Sequence, residues 1–373
     1  MSANGLKSTP RMMDIALTGR CNLKCEYCFY ADEMVALGDL PTERWLAFFE
    51  ELRELGVMEV TLTGGEVFTR SDLFEIIDGI IANRMRYTLL TNGTLITEKT
   101  LEQFNVGKRK TRLNTIQISI DGSTAEVHNK SRPNSFERSL RGLKLLKEAE
   151  IPLTVRVTIN RFNYQDLENT ARLLLEDVGL PWISTNAAMP MGAGCSNQGR
   201  IALTATERLE AMHIIEQLLE RYPNRILANA GPQALIQRYA AMEEARATGD
   251  THKVSWTMGT LSACGCTFNK LSVLHDGNIV PCMMLPELVL GQIGSADLYD
   301  IWHNHPILDE MRSRRSISMH DVPGCKGCEW ASYCNGGCPG LAFELTRELN
   351  VADPTDCYRR FIKETGQRYV AHC

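Results

Sequence analysis

The stretch Cys21-Asn22-Leu23-Lys24-Cys25-Glu26-Tyr27-Cys28 places three thiols within eight residues, spaced by three residues and then by two. Three cysteines this close cannot all pair with one another as disulfides. They can hold three irons of a [4Fe–4S] cube and leave the fourth iron open to a small-molecule ligand. The alternatives are a zinc knuckle or a set of buried core cysteines. Zinc requires a fourth Cys or His close by, and neither occurs elsewhere between Arg20 and Asp39.

Outward from this stretch the composition is that of an ordinary globular chain, 44% apolar and 23% charged over 373 residues, long enough that two domains are the default expectation. The balance of 40 Lys and Arg against 45 Asp and Glu gives a net charge of −5, which argues against nucleic-acid binding and against a basic membrane-docking face. No apolar h-region opens the chain, and no run approaches the roughly 20 apolar residues of a spanning helix, so a cytoplasmic location is expected. In a reducing compartment thirteen cysteines make sense as thiolate ligands rather than disulfides. Three lie in the opening stretch, eight lie between Cys264 and Cys357, and Cys195 and Cys373 stand apart.

Short β-rich runs at 12–17, 59–62, 87–90, 116–120, 154–159 and 183–186 alternate with amphipathic helical segments. The segment after Pro41 carries Trp45, Phe48, Phe49, Leu52 and Leu55 at helical spacing, and another carries Phe136, Leu140, Leu143 and Leu146. Six such units predict an α/β fold, a partial (β/α)6 TIM-like barrel with its helices outside and its reactive end where the strands finish. Residues 1–190 are assigned to the barrel. Residues 191–260 are read as a bridging region with helices near 206–222 and 233–248, and 261–373 as a cysteine-rich domain of short strands and turns.

The CxxxCxxC spacing, with Tyr27 before the last cysteine, resembles the signature of the radical SAM enzymes. That resemblance implies that Cys21, Cys25 and Cys28 are both metal ligands and the catalytic core. Their open iron would chelate S-adenosyl-L-methionine and reduce it to a 5′-deoxyadenosyl radical, a chemistry the cofactor supplies and the protein aims. Thr63-Gly64-Gly65-Glu66 is similar to the family's GGE motif, with Val67 in place of its usual Pro. Its two glycines admit close backbone approach, and a carboxylate beside them can receive an ammonium group. The family pattern further implies that Tyr27 packs near adenine, and that Asn92 in Thr91-Asn92-Gly93, with Ser119 and Asp121 in Ser119-Ile120-Asp121-Gly122, lines the cofactor. Arg156, flanked by Val155 and Val157, needs an anion inside a barrel: the cofactor carboxylate, or the partner of a structural salt bridge. His128 and Arg132 either touch substrate or lie at the surface.

In the C-terminal third, Cys264, Cys266 and Cys282 precede Cys325-x2-Cys328-x5-Cys334-x3-Cys338, and Cys357 closes the series. The order is similar to that of the SPASM domain, which implies two auxiliary [4Fe–4S] clusters and three clusters in all. One would take Cys264, Cys282 and Cys338, with Cys266 as fourth ligand, and the other Cys325, Cys328, Cys334 and Cys357. Two zinc sites are the alternative, since four thiolates suit zinc as well. His303 and His305 are read as solvent-facing.

Four stretches, Leu40-Pro41-Thr42-Glu43-Arg44-Trp45, Leu153-Thr154-Val155-Arg156-Val157-Thr158-Ile159, Ser184-Thr185-Asn186-Ala187-Ala188 and Ala263-Cys264-Gly265-Cys266, resemble the SynChlorMet cassette radical SAM/SPASM proteins. This implies a ribosomally made precursor peptide as substrate, an oxidative cross-link (thioether or C–C) as product, a paralogous partner in a heterodimer, and an electron donor such as flavodoxin or ferredoxin. Met283 follows Cys282 where sulfatase-maturing relatives have an Asp base, which disfavours that activity. Cys195 would be the hydrogen-donating thiol of a peptide epimerase, or inert. A small-molecule radical dehydrogenase and a cluster-binding support subunit are the remaining alternatives. With only twenty residues before Cys21, leader recognition is expected from the bridge, the SPASM domain or a separate protein.

Overall fold

The computed structural model describes residues 9–35, 38–249, 258–262 and 264–369. Cys373 and Ala263 lie outside the described residues. Six parallel strands, β1 (Met12–Thr18), β2 (Glu59–Gly64), β3 (Arg86–Thr91), β4 (Leu113–Ser119), β5 (Leu153–Ile159) and β6 (Ile183–Ala187), pair in chain order. The sheet extends beyond them at both ends. Strand β7 (Ile226–Ala228), from between the two bridging helices, adds in parallel to β6. Strand β8 (Lys270–Val273) adds in parallel to the free edge of β1, followed by antiparallel β9 (Asn278–Val280) and β10 (Gly291–Gln292). The sequence reading did not include β7, whose three residues are too few for a periodicity signal.

Two-residue alternation decides which face meets what. Ile15, Leu17, Val60, Leu62, Leu89, Ile116, Ile118, Val155 and Val157 point outward and are buried under the helices. From the helix Thr42–Glu54 come Trp45, Phe48, Phe49 and Leu52, none of them exposed at all. Leu143 and Leu146 come from the helix Phe136–Glu148. At roughly 1.5–3 kcal/mol per large apolar side chain, this layer is the main stabilising term.

The inner face is different. Thr88, Thr115, Gln117, Thr154, Arg156 and Ser184 line an open cavity of about 1540 Å³ instead of the branched apolar layers that fill a closed eight-stranded barrel. The chain therefore forms a partial α/β barrel whose interior is polar and accessible, with the cysteine-rich region attached to the edge strand β1. Among the described residues no helix is long and apolar enough to cross a membrane.

Candidate active site

The cysteine loop leaves β1 at Thr18 and is clamped at once by Asp39. This carboxylate accepts from Thr18 Oγ1 (2.7 Å), from Gly19 N (2.8 Å) and from Arg20 Nε (3.1 Å). The Gly-Gly-Glu turn at the end of β2 packs against the same loop. Gly65 N donates to Thr18 O (2.7 Å) and Glu66 N to Arg20 O (2.8 Å). A Cβ on Gly65 would lie 2.1 Å from Arg20 O, and one on Gly64, whose φ is +125°, 2.5 Å from Thr18 O. The body that approaches the two glycines is thus the backbone of the cysteine loop itself.

Glu66 is fully buried. Its carboxylate accepts from Thr91 Oγ1 (2.7 Å), Asn92 N (2.7 Å) and Phe68 N (3.2 Å), tying the end of β2 to the end of β3. Burial pushes its pKa up, and these hydrogen bonds oppose the rise. Asn92 Nδ2 in turn donates to Asn22 Oδ1 (2.9 Å), inside the cysteine loop.

Cys21, Cys25 and Cys28 are free and half-buried. Burial pushes the Cys28 thiol up to about 11, with the neighbouring Cys25 second among the causes, and raises those of Cys21 and Cys25 as well. Thiolates crowded here need cationic company, which irons would provide. Two donors are already directed at sulfur: Leu23 N at Cys21 Sγ (3.4 Å) and Arg132 Nη1 at Cys25 Sγ (3.7 Å). This donor set fits an iron–sulfur cluster.

Asp121, with no exposed surface, is the hub that joins this loop to the barrel. Its Oδ1 accepts from Thr158 N on β5 (2.7 Å), and its Oδ2 accepts from Arg132 Nε (2.6 Å) and from the Tyr27 hydroxyl. Arg132 also lies 5.1 Å over the Tyr27 ring. Asp121 N donates to His128 Nδ1 (3.1 Å), and His128 Nε2 pairs with Ser135 Oγ (2.9 Å). Neither His128 nor Arg132 is at the surface: His128 is fully buried and the Arg132 side chain is 11% exposed. Arg132 carries no local mark, because Cys25 and Tyr27 come to it from the cysteine loop, whereas the partners of His128 lie within seven residues of it.

Ser119, half-buried at the end of β4, pairs in register with Arg156 on β5. Arg156 points into the cavity with Ser184 Oγ at 3.3 Å. Burial alone lowers its pKa, and no carboxylate among the described residues pairs with it, so the structural salt bridge is not found. An unmatched cation thus stands inside the cavity.

The same cavity reaches the C-terminal third at Cys264, Met284, Cys338 and Cys357. There the thiols of Cys264, Cys266 and Cys282 lie close enough to act on one another, and Cys338 is within electrostatic reach of Cys264 and Cys282. Cys325 is likewise within electrostatic reach of Cys328, Cys357 and Cys334. Gly336 and Gly337, with φ of +73° and +74°, make the tight turn between Cys334 and Cys338. His303 packs against Tyr299, the rings tilted by 44° with centroids 4.4 Å apart, and His305 Nδ1 caps the helix Pro306–Ser313 by accepting from Ile307 N (3.3 Å); both are half-buried rather than solvent-facing. Cys195 is exposed.

A model of the Radical SAM superfamily matches residues 15–174, and one of the SPASM iron–sulfur cluster-binding domain matches residues 264–329. The AdoMet-dependent heme synthase of Methanosarcina barkeri is 28% identical over 360 residues, 95% of this chain and 98% of that protein. The PqqA peptide cyclase of Granulibacter bethesdensis is 28% identical over 349 residues, 91% of this chain and 84% of that protein. Streptococcus suis SuiB bound to precursor peptide SuiA superposes with a TM-score of 0.70 at 17% identity, over 95% of this chain and 77% of that one, a likeness of fold. Thiol grouping, barrel and matches converge: the chain is a radical SAM enzyme with a C-terminal SPASM domain, and its cofactors are S-adenosyl-L-methionine and [4Fe–4S] clusters.

Proposed function

We propose that this enzyme is a cytoplasmic maturase that oxidatively cross-links a ribosomally made precursor peptide, in the manner of the SynChlorMet cassette group. The observation that carries this reading is the single cavity running from Arg156 on the barrel's inner face to Cys264 and Cys338 in the C-terminal third. When bound, S-adenosylmethionine and the cluster on Cys21, Cys25 and Cys28 supply a radical that removes a hydrogen atom. Arg156 is suited to hold the cofactor's carboxylate, with Ser119 beside it in register. Glu66 and Asp121 act as braces, holding the backbone of Thr91-Asn92 and the Tyr27 ring beside the cysteine loop, where the cofactor would bind. Joining two side chains removes two hydrogens: one leaves as the atom abstracted, the other as a proton and an electron. The electron needs an acceptor, and the two C-terminal thiol groups, Cys264, Cys266, Cys282 and Cys338, then Cys325, Cys328, Cys334 and Cys357, would ligate clusters that take it. A flavodoxin- or ferredoxin-type donor and a paralogous partner complete the proposal.

The heme synthase match, which spans nearly all of both chains, favours one second reading, oxidation of a small molecule. Anaerobic assays with reductant, S-adenosylmethionine and the peptide encoded beside the gene separate the two. A product lighter by two hydrogens supports cross-linking. A product retaining every hydrogen overturns it in favour of epimerisation, and activity without any peptide favours the small molecule. Iron, sulfide and Mössbauer analysis of the protein and of a Cys21→Ala/Cys25→Ala/Cys28→Ala variant should show three cubes falling to two, with loss of cofactor cleavage. Zinc in the C-terminal third would remove the electron acceptors.

A further inference from the structure

Each of the three thiol groups has at least one arginine within electrostatic reach, Arg315 beside Cys264 and the exposed Arg359 beside Cys325 among them. Two of the less exposed ones have their charge cancelled. Arg132, next to Cys25, is ion-paired with Asp121, and Arg238, within reach of Cys334, is ion-paired with Asp356. The third, Arg314, follows the helix Pro306–Ser313 and has no exposed surface. Its Nε donates to Ser262 O (2.7 Å) and its Nη2 to Val351 O (3.4 Å). Both acceptors are neutral carbonyls. Its Nη1 has no partner, and no carboxylate among the described residues pairs with it. The charges that act on it are those of Cys338 and Cys264. Burial lowers its pKa to about 10, so it remains a cation at neutral pH.

A buried, uncompensated guanidinium with an idle N–H is costly unless something negative completes it. Of the other charges near this thiol group, Lys270 is ion-paired with Asp14, the half-buried Arg315 lies 3.5 Å over Phe268, and Asp353, which acts on Cys338, accepts from Thr355 N and Cys338 N. We propose that Arg314 is a positioning residue that supplies an uncompensated positive charge and a spare N–H to the cluster ligated by Cys264, Cys266, Cys282 and Cys338. In that role it makes this cluster the most easily reduced of the three and hence the first acceptor of the substrate's electron. Positive charge and hydrogen bonds to sulfur both favour the reduced, more negative cluster. The inference rests on the reading of those four cysteines as ligands.

The test is an EPR-monitored redox titration of the full chain carrying Cys21→Ala/Cys25→Ala/Cys28→Ala, reconstituted with iron and sulfide, so that only the C-terminal clusters report. Two potentials are expected. Arg314→Met should lower the higher one so that the reduced-to-oxidised ratio at fixed potential falls at least tenfold, about 59 mV for a one-electron couple, and leave the other unmoved. Arg314→Lys, which keeps the charge, should retain at least half of the effect. Unchanged potentials with full iron and sulfide would overturn the proposal. So would loss of a cluster in both variants, which would make Arg314 purely structural. If Cys264→Ala/Cys282→Ala leaves the iron content intact, the ligand reading itself fails, whatever Arg314 does.

Discussion

The two thiol-bearing regions are built in opposite ways. In the barrel, three cysteines share one loop, and three carboxylates from separate elements, Asp39, Glu66 and Asp121, lock that loop to the ends of the strands. Behind it stands an apolar layer running the length of the sheet. In the C-terminal third the cysteines are gathered from Cys264 to Cys357, and their apolar support is divided between an extension of the main core through Trp302, Leu308, Trp330, Tyr358 and Phe361 and two small separate clusters, Leu261, Met319, Val322 and Ala331, and Leu285, Met311 and Leu349. The difference teaches that the barrel site is preorganised by protein packing, whereas the C-terminal sites draw much of their order from ligation itself.

Removal of iron is the sharpest way to break that contrast. Chelation under reducing conditions should abolish amide protection across residues 314–357 and leave β1 to β6 protected, as read by hydrogen exchange; equal loss in both regions would refute the comparison.

A smaller but still large effect is expected inside the barrel. Asp121→Ala strands the Arg132 guanidinium and removes the acceptor of Thr158 N and the Tyr27 hydroxyl. Breaking a buried pair this way costs about 3–5 kcal/mol, measurable as a lowered denaturation midpoint, while iron content of the C-terminal clusters should hold.

Next comes a pH effect. Burial holds the His128 imidazole down at about 4, against 6.5 for an unburied one, although Asp121 opposes the shift. The unfolded chain therefore takes up a proton that the folded one refuses. This contribution to stability is complete above about pH 6.5 and is lost as pH falls towards 4, amounting to on the order of 3 kcal/mol. Thermal midpoints from pH 7 to 4.5 should drop more steeply in the parent chain than in His128→Asn. Parallel slopes would show that this ring does not set the acid limit.

The smallest effect belongs to the exposed helix end in the C-terminal third. The Arg360–Glu364 pair is solvent-accessible on both sides, so Glu364→Gln should change stability by less than about 0.5 kcal/mol. A larger loss would mean that the cavity-lining Glu364 has work beyond that ion pair.

Much of this architecture was legible in the residues alone, for a local reason. The thiols of Cys21, Cys25 and Cys28 meet because eight consecutive residues cannot keep them apart, and the parallel barrel follows from apolar alternation in strands separated by helices such as Thr42–Glu54. What only the tertiary structure decided concerns groups far apart in sequence. Arg132 reads as a surface residue until the Cys25 loop and Asp121 close around it. Gly64 and Gly65 read as an opening for a ligand, yet it is the backbone at Thr18 and Arg20 that fills the space. Strand β7 exists because β6 offers an edge, not because Ile226-Leu227-Ala228 insists on extension. And nothing in Arg312-Ser313-Arg314-Arg315 distinguishes the middle arginine from its neighbours. Burial and the lack of a carboxylate partner do, and both are properties of the assembled fold, where the surrounding chain replaces water around the charge.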